Sequence, residues 1–305
     1  MTATTGGFAT LLAPGLWRVT FNAIDRQPNQ WIPVLNIKTS QRAYEEESAV
    51  AGLGSMKTKP EGVAVDFDDP IMGGTLRYTH SSYGLGFRIT REMYDDDLYS
   101  IMNRMAAELG RAAAYKVEID AWSVLNNAFN AAYTGLDSLA LCHVSHTRLD
   151  GGAVQANKPS TDVDFSYTAY QAALDHYKTL LDDRGRPIIL APKLLIIDPA
   201  FEWAAKEILQ SEYKPYSANN EINPLADTAS YLLCRYLTDT DSWFLLTEKG
   251  GDSGDGHDLR FWWRVKPETS EADDFLTGDA LFKIYARYSK GFARWQGVYG
   301  SSGGS

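Results

Sequence analysis

Apolar residues at Leu98, Ile101, Met105, Leu109, Ala113, Val117, Ala121 and Leu125 recur at steps of three or four, the spacing that holds one face of an α-helix. Upstream, Gly86-Phe87-Arg88-Ile89-Thr90 reads as the end of a strand. Asp95, Asp96 and Asp97 follow as an acidic turn that complements the positive end of the helix dipole. The 86–129 stretch therefore predicts one long rod, roughly 35 residues and about 50 Å at 1.5 Å rise per residue. Before it, from 38 to 90, the pattern is strand-like: Val63, Val65 and Phe67 alternate with polar positions, as do Leu76 and Tyr78 and then 83–87. Gly52, Gly54, Gly62, Gly73, Gly74, Gly84 and Gly86 punctuate this region. The expectation is a long two-stranded arm with little to bury on itself, and an isolated hairpin is marginal in water. Such an arm needs a partner surface. Residues 1 to about 40 are expected to form an irregular arm anchored by Phe8, Leu11, Trp17, Phe21 and Trp31, with Pro28 and Pro33 opposing helix between them.

Downstream the pattern mixes helices and strands. A polar loop over 134–164 leads to a helix over 167–181 that Gly185 stops. The runs 188–190 and 194–197 flank Pro192, and the second reads as a buried central strand. Asp198-Pro199 starts a helix through Leu209, with Pro199 in its first position. Residues 212–227 read as an exposed loop carrying Tyr213, Pro215, Tyr216, Asn219, Asn220, Asn223 and Pro224. Strands are expected over 231–236, 243–246 and 259–265, and again over 280–288, where Phe282, Ile284, Ala286 and Tyr288 share a face. The fold class is α+β, with no internal repeat.

Composition narrows the function classes. With 305 residues, 44% of them hydrophobic and 12% aromatic, the chain can build one large domain or two modest ones. Its 29 basic and 39 acidic residues give a net charge of −10, which argues against sequence-independent nucleic-acid binding. A container whose inner wall faces nucleic acid without sticking to it remains open. The two cysteines, Cys142 and Cys234, read as reduced thiols. No apolar run approaches the roughly 18 residues of a membrane span, and Met1 to Gly7 lacks the basic and apolar regions of a signal peptide. The expected setting is the inside of a cell.

Candidate chemistry is sparse. Cys142-His143-x-x-His146 is the obvious metal motif, but zinc needs three or four converging ligands. His80, His176, His257 and Cys234 each stand alone, so a loop with one structural histidine is the better reading. Adjacent Cys and His seldom face each other as a nucleophile pair. The glycine-aspartate run over 250–256 lacks both the regular Asp spacing and the terminal Glu of a calcium loop. Glu45, Glu46 and Glu47 read as a solvated face, or as acids that meet Arg111 or Lys116 on another copy's long helix. No Walker loop, dinucleotide fingerprint, nucleophile elbow or His-Glu-x-x-His occurs. The expectation is no enzyme, no cofactor and no metal.

In order along the chain, GFRITREMYDDDLYSIMNRMAAELGRAAA, LALCHVSHTRLDGG, PKLLIIDPAFEWAAKEILQSEYKP, NNEINPL, YLTDTDSWFLL and YARYSKGFARWQGVYG span most of residues 75–300. Together they resemble the tailed-phage major capsid proteins of the Hong Kong 97 fold, and more narrowly the Mu-type major head subunit (gpT-like) group. The resemblance implies an N-terminal arm (1–40), an extended loop reaching over a neighbour (41–90) and a peripheral domain with the spine helix (91–185). It further implies an axial domain (186–256), return strands of the peripheral domain (257–300) and a flexible tail (301–305). It implies a subunit that self-assembles as hexamers and pentamers into an icosahedral shell around phage double-stranded DNA, built in the host cytoplasm and resident in the virion. Implied partners are other copies, a portal, a separate scaffolding protein, a decoration protein and packaged DNA by non-specific proximity, with no membrane. The chain lacks the long cleaved N-terminal region of some members, so either scaffolding comes from a separate protein, as in the Mu-type group, or the sequence is already mature. Candidate inter-subunit contacts are Trp17, Trp31, Glu45, Glu46, Lys57, Lys59, Arg111 and Lys116. Lys57 and Lys59 fall in the element that carries a crosslinking lysine in some relatives. The alternative is an encapsulin-like compartment of the same fold, which would enclose a cargo enzyme rather than DNA.

Overall fold

A computed structural model describes residues 9–96, 99–215, 221–250, 256–274 and 276–304. Its elements run α1 (Ala9–Asp25), β1 (Asn36–Thr39), β2 (Tyr44–Ala51), β3 (Ile71–Thr79), β4 (Ser81–Ile89), α2 (Arg91–Asp95) and α3 (Tyr99–Asn126). They continue with α4 (Tyr167–Tyr177), β5 (Pro192–Ile197), α5 (Glu202–Gln210), β6 (Ser230–Leu233), β7 (Trp243–Thr247), β8 (Leu259–Asp273), β9 (Ala280–Phe292) and β10 (Val298–Ser301). The predicted rod is α3, with 28 residues, or about 42 Å at 1.5 Å per residue. It is shorter than the sequence suggested because 91–95 form a separate short helix, capped by the Thr90 hydroxyl, which accepts from the Met93 N–H. Asp97 and Leu98 lie outside the described residues, and no acid falls within the first turn of α3.

Two sides of α3 are buried. The expected stripe through Leu109, Val117, Ala121 and Leu125 is buried, and Met102, Ala106 and Trp122 are buried as well. The second side faces α1, which forms where an irregular arm was expected. Leu16, Thr20 and Ala23 of α1 are buried, and Thr20 Oγ1 donates to the carbonyls of Leu16 (3.0 Å) and Ala106 (3.1 Å). At the crossing a Cβ on Gly110 would strike the Thr20 carbonyl, so this glycine sets the interhelical approach. Phe8 lies outside the described residues.

One sheet has the order β1-β8-β9-β4, with β1 parallel to β8 and the other pairs antiparallel. Ile284, Ala286 and Tyr288 of β9 are buried, on the face the alternation predicted. β8 runs well past its expected end at 265, because it stays paired with β9 as far as Asp273. The second sheet has the order β10-β7-β5-β6. β5 is interior, as expected, and β7 is buried along its whole length. Asp198 Oδ1 accepts from the Ala200 N–H and starts a 3-10 turn, Pro199–Phe201, that leads into α5. α4 ends at Tyr177, earlier than predicted, and Gly185 instead takes a positive φ of 76° in the turn after it. One contiguous core joins the two sheets through Trp122, Tyr170, Leu195, Phe244, Phe261 and Tyr288.

Three other expectations change. Residues 52–70 form no strand, so the Val63, Val65, Phe67 alternation has no sheet to join. Asn223 is buried rather than exposed, donating to the carbonyls of Ile208 (2.7 Å) and Ser211 (3.0 Å) and so closing the loop onto α5. Tyr216, Asn219 and Asn220 lie outside the described residues. The expected tail is packed through 301–304: Ser301 Oγ donates to the Val163 carbonyl (2.8 Å) and the Gly304 N–H donates to Asp164 Oδ1 (2.7 Å).

Candidate assembly surface

β2 and β3 form an antiparallel hairpin from Tyr44↔Thr79 to Ala51↔Ile71, with an irregularity between Ser48 and Val50. Three sets of contacts bind it to its own subunit. At the base, buried Arg260 donates to Asp258 Oδ2 (2.7 Å) and Glu47 Oε1 (2.8 Å). Burial pushes the Glu47 carboxyl up, opposed by the Arg260 charge. Beside it Ser40 Oγ donates to Glu45 Oε1 (2.6 Å), and His80 bridges Ser40 (3.1 Å) and Ser289 (2.9 Å). Along its length, Gly73 and Gly74 rest on the Leu149 side chain and the Leu136 carbonyl, where a Cβ would collide. At the far end, Arg184 Nε donates to the Gly52 carbonyl (2.7 Å) and Nη2 to the Asp69 carbonyl.

Beyond Arg184 the chain leaves the body. Leu53, Met56, Val63, Val65 and Phe67 are all exposed there, Met56 and Phe67 almost completely (101% and 93%). Clustered bare apolar side chains of this kind mark an interaction surface. The segment is nevertheless shaped: the Gly54 N–H donates to Asp68 Oδ2 (2.6 Å) and Lys57 pairs with Asp66 (3.1 Å). The Gly54 N–H holds the Asp68 carboxyl below the usual carboxylate range; burial opposes it and the Arg184 charge adds to it.

α3 supplies the second surface. Tyr115 and Ile119 are exposed on it, and Trp17 and Phe21 on α1. Beneath them Asp120 accepts from the Tyr288 hydroxyl (2.7 Å) and Lys116 Nζ (2.9 Å), with Lys290 Nζ at 3.2 Å. Burial opposes the Asp120 charge, but these donors outweigh it and keep its carboxyl below the ordinary range. Glu118, two residues earlier, accepts from the Gln30 N–H (2.9 Å) and the Trp122 indole (3.1 Å), and burial pushes its carboxyl up.

The sequence-predicted contact residues fall into different places. Trp17 is exposed on α1. Trp31 is a correction: it is buried in its own core, 4.6 Å from the Phe261 ring and 6.5 Å from Trp263 by centroids, and has no face for a neighbour. Glu45 and Glu46 are engaged at home: Ser40, in the connection before β2, donates to Glu45, and strand pairing sets Arg77 opposite Glu46 (2.6 Å). Lys57 pairs within the overhang and Lys59 is exposed. Arg111 pairs with Glu108 and Lys116 with Asp120, each along α3 itself. Sequence reasoning missed Arg184 and Arg260, which carry no local signal, and it read Val63, Val65 and Phe67 as a strand rather than as bare apolar surface.

The metal motif is a packing node. His146 is fully buried, with Nδ1 2.5 Å from Asp137 Oδ2, Nε2 3.0 Å from Asn157 Oδ1, and its ring stacked on Trp295 at 4.3 Å. Asn157 Nδ2 donates to the carbonyls of Leu141 (2.6 Å) and Val298 (3.0 Å), tying the loop to β10. Burial drives the Cys142 thiol far up, away from the reactive thiolate. Among the described residues no group of three or more His, Cys, Asp or Glu is placed to hold a metal ion, and no helix is long and apolar enough to cross a membrane. Residues 251–255 of the glycine-aspartate run lie outside the described residues.

Comparison with known proteins agrees with this geometry. Residues 73–301 match the family described as phage capsid protein. No curated protein matches the sequence. Among solved structures, the chain is similar to the asymmetric unit of the bacteriophage PhiM1 mature capsid: TM-score 0.60, 10% identity, covering 90% of this chain and 86% of that one. It is also similar to the bacteriophage JBD30 capsid decorated with minor capsid protein trimers, with TM-score 0.55 and 14% identity over 70% and 92%. A virus-like particle from Pyrococcus furiosus aligns with TM-score 0.50 and 10% identity over 94% and 97%. At these identities the likeness establishes the fold, the Hong Kong 97 type that the sequence led us to expect.

Proposed function

The chain belongs to the phage capsid protein family, and from that premise we propose that copies of it assemble as hexamers and pentamers into a closed icosahedral shell around phage double-stranded DNA. The observation that carries this reading is the overhang at 53–68, which exposes five large apolar side chains and, among the described residues, is tied to its own subunit at its base. A segment so exposed makes sense when another copy covers it. In this reading residues 1–40 act as an arm, 41–90 as the loop that clamps a neighbour, 91–185 and 257–300 as the peripheral domain, and 186–256 as the axial domain. Many modest contacts per copy then close the shell through effective concentration. The segments quoted from the sequence favour the Mu-type, gpT-like group, and with it a separate scaffolding protein and a portal as partners. The decorated JBD30 relative favours a decoration protein as a further partner.

Electron microscopy of the expressed chain, alone and with a scaffold from the same gene cluster, tests the reading. Closed shells with hexameric and pentameric capsomers are expected, and a chain that stays monomeric with every scaffold tried refutes it. The likeness to the Pyrococcus particle supports one alternative, an encapsulin-like compartment. Particles purified from their native source would then contain a cargo protein instead of DNA.

A further inference from the structure

β8 and β9 turn one face to the core, where Phe261, Trp263, Ala286 and Tyr288 are buried. Arg287 stands on the opposite face, because strand alternation sends it away from its neighbours Ala286 and Tyr288. In its row across the sheet it is flanked by Val265 on β8 and Ser82 on β4. Arg264 is the extra residue at the register shift between Trp263 and Val265, beside that row. Both arginines are half-buried, and the Nε of each is buried without a hydrogen-bond partner. Among the described residues neither forms an ion pair, although the chain carries 39 acids against 29 bases. Glu268, one row further along opposite Tyr285, is exposed and pairs with neither. Ser82 Oγ lies 3.0 Å from the Tyr285 hydroxyl, so two hydroxyls share this face. His80 stands at the root of the hairpin, bridging Ser40 and Ser289. Burial, and after it the charges of Arg287 and Arg264, hold its imidazole below the ordinary range against the pull of Glu45. Both guanidinium charges therefore act on one imidazole.

As it stands, this group is unfavourable. A buried donor left without an acceptor loses its hydration and gains nothing in return, and like charges brought close repel. A bound anion relieves both. We propose that Arg264 and Arg287 hold a phosphate-type oxyanion on the outer face of β8 and β9, at the root of the hairpin. A phosphate group carries about −1.5 to −2 charge at pH 7, which balances two arginines where one carboxylate balances one. Its tetrahedral oxygens accept from several directions, so two guanidinium forks on different strands and a neighbouring hydroxyl can reach it together. A carboxylate offers two oxygens in a single plane. The site does not depend on the shell reading, which stands whatever its test returns.

Calorimetry of the full-length chain as free subunit, in low-salt buffer, tests the site. Inorganic phosphate should raise the thermal midpoint by about 2–4 °C over potassium chloride of equal ionic strength. Arg264→Gln and Arg287→Gln should each lose that increment. Arg88→Gln should keep it, since Arg88 is already paired with Asp279 (3.2 Å). Phosphorus NMR supplies a measurement that needs no variant: the chain should broaden the phosphate signal, and sulfate should restore it. Displacement by short duplex DNA assigns the phosphate to a nucleic-acid backbone, and persistence in its presence assigns it to the free ion; either upholds the site. If phosphate does no more than chloride, or both glutamine variants respond as the unaltered chain does, the inference falls. Acetate matching phosphate would make this a carboxylate site and equally overturns it.

Discussion

Glu118 and Asp120 stand two positions apart on α3, both buried, and their surroundings push them in opposite directions. Asp120 is surrounded by donors, so its folded value lies below the unfolded one of about 3.9. Stability from such a group is fully present above the unfolded value and is lost as pH falls through the folded one. Asp120→Asn should therefore cost about 2 kcal/mol at pH 7, with the deficit shrinking below about pH 3, as read by urea denaturation across pH. Glu118 shows the reverse sign. Burial raises its folded value, so ionisation weakens the fold once pH exceeds the unfolded value of about 4.3. A glutamine keeps the oxygen that accepts from Gln30 and Trp122. Glu118→Gln should gain about 1 kcal/mol at pH 8 and nothing below about pH 4; a loss at pH 8 would show that burial does not dominate there. Neither behaviour was legible in the sequence. Helical spacing reports which face a residue occupies and places Lys116 and Trp122 one turn away, but the other partners, Tyr288 and Lys290 on β9 and Gln30 before β1, are far away in the chain.

The elements were legible where one periodicity ran uninterrupted. β9 alternates cleanly and α3 keeps its three-four spacing, so both appear where expected, and β5 appears because a short apolar run after Pro192 has no other use. α1 was not legible, because its buried stripe of Leu16, Thr20 and Ala23 includes a threonine whose hydroxyl is satisfied only by the carbonyls of Leu16 and Ala106. Its register depends on α3, and α3 accommodates it through Gly110. In an isolated helix Gly→Ala is favourable by about 1 kcal/mol. At this crossing the new methyl would meet the Thr20 carbonyl and sit 3.2 Å from Ala23 Cβ. Overpacking at such a contact costs about 1–3 kcal/mol, so the sign should invert. Gly110→Ala should lower the thermal midpoint of the free subunit, by calorimetry, and a higher midpoint would mean that α1 is free to slide away.

Across the whole molecule, the least legible part of the fold is the overhang that the proposed function makes an assembly surface. Residues 53–68 alternate and expose apolar side chains but find no strand partner in their own chain, so their alternation, read on its own, assigns them to the wrong element. Their separation from the fold can be measured. Arg184 and the Arg260–Glu47–Asp258 cluster hold the hairpin below the overhang, and the overhang itself buries little. Replacing residues 54–67 with a short Gly-Ser turn should leave the free subunit within about 0.5 kcal/mol of its original stability, as for surface changes elsewhere. Shell formation should respond very differently, because every copy loses a contact that recurs around the whole lattice, and many weak contacts act there through effective concentration. Analytical sedimentation should then show only free subunits at concentrations where the unaltered chain forms shells. Normal shells from the altered chain would place the assembly energy elsewhere, on α3 and the axial sheet, and would leave Met56 and Phe67 without a role.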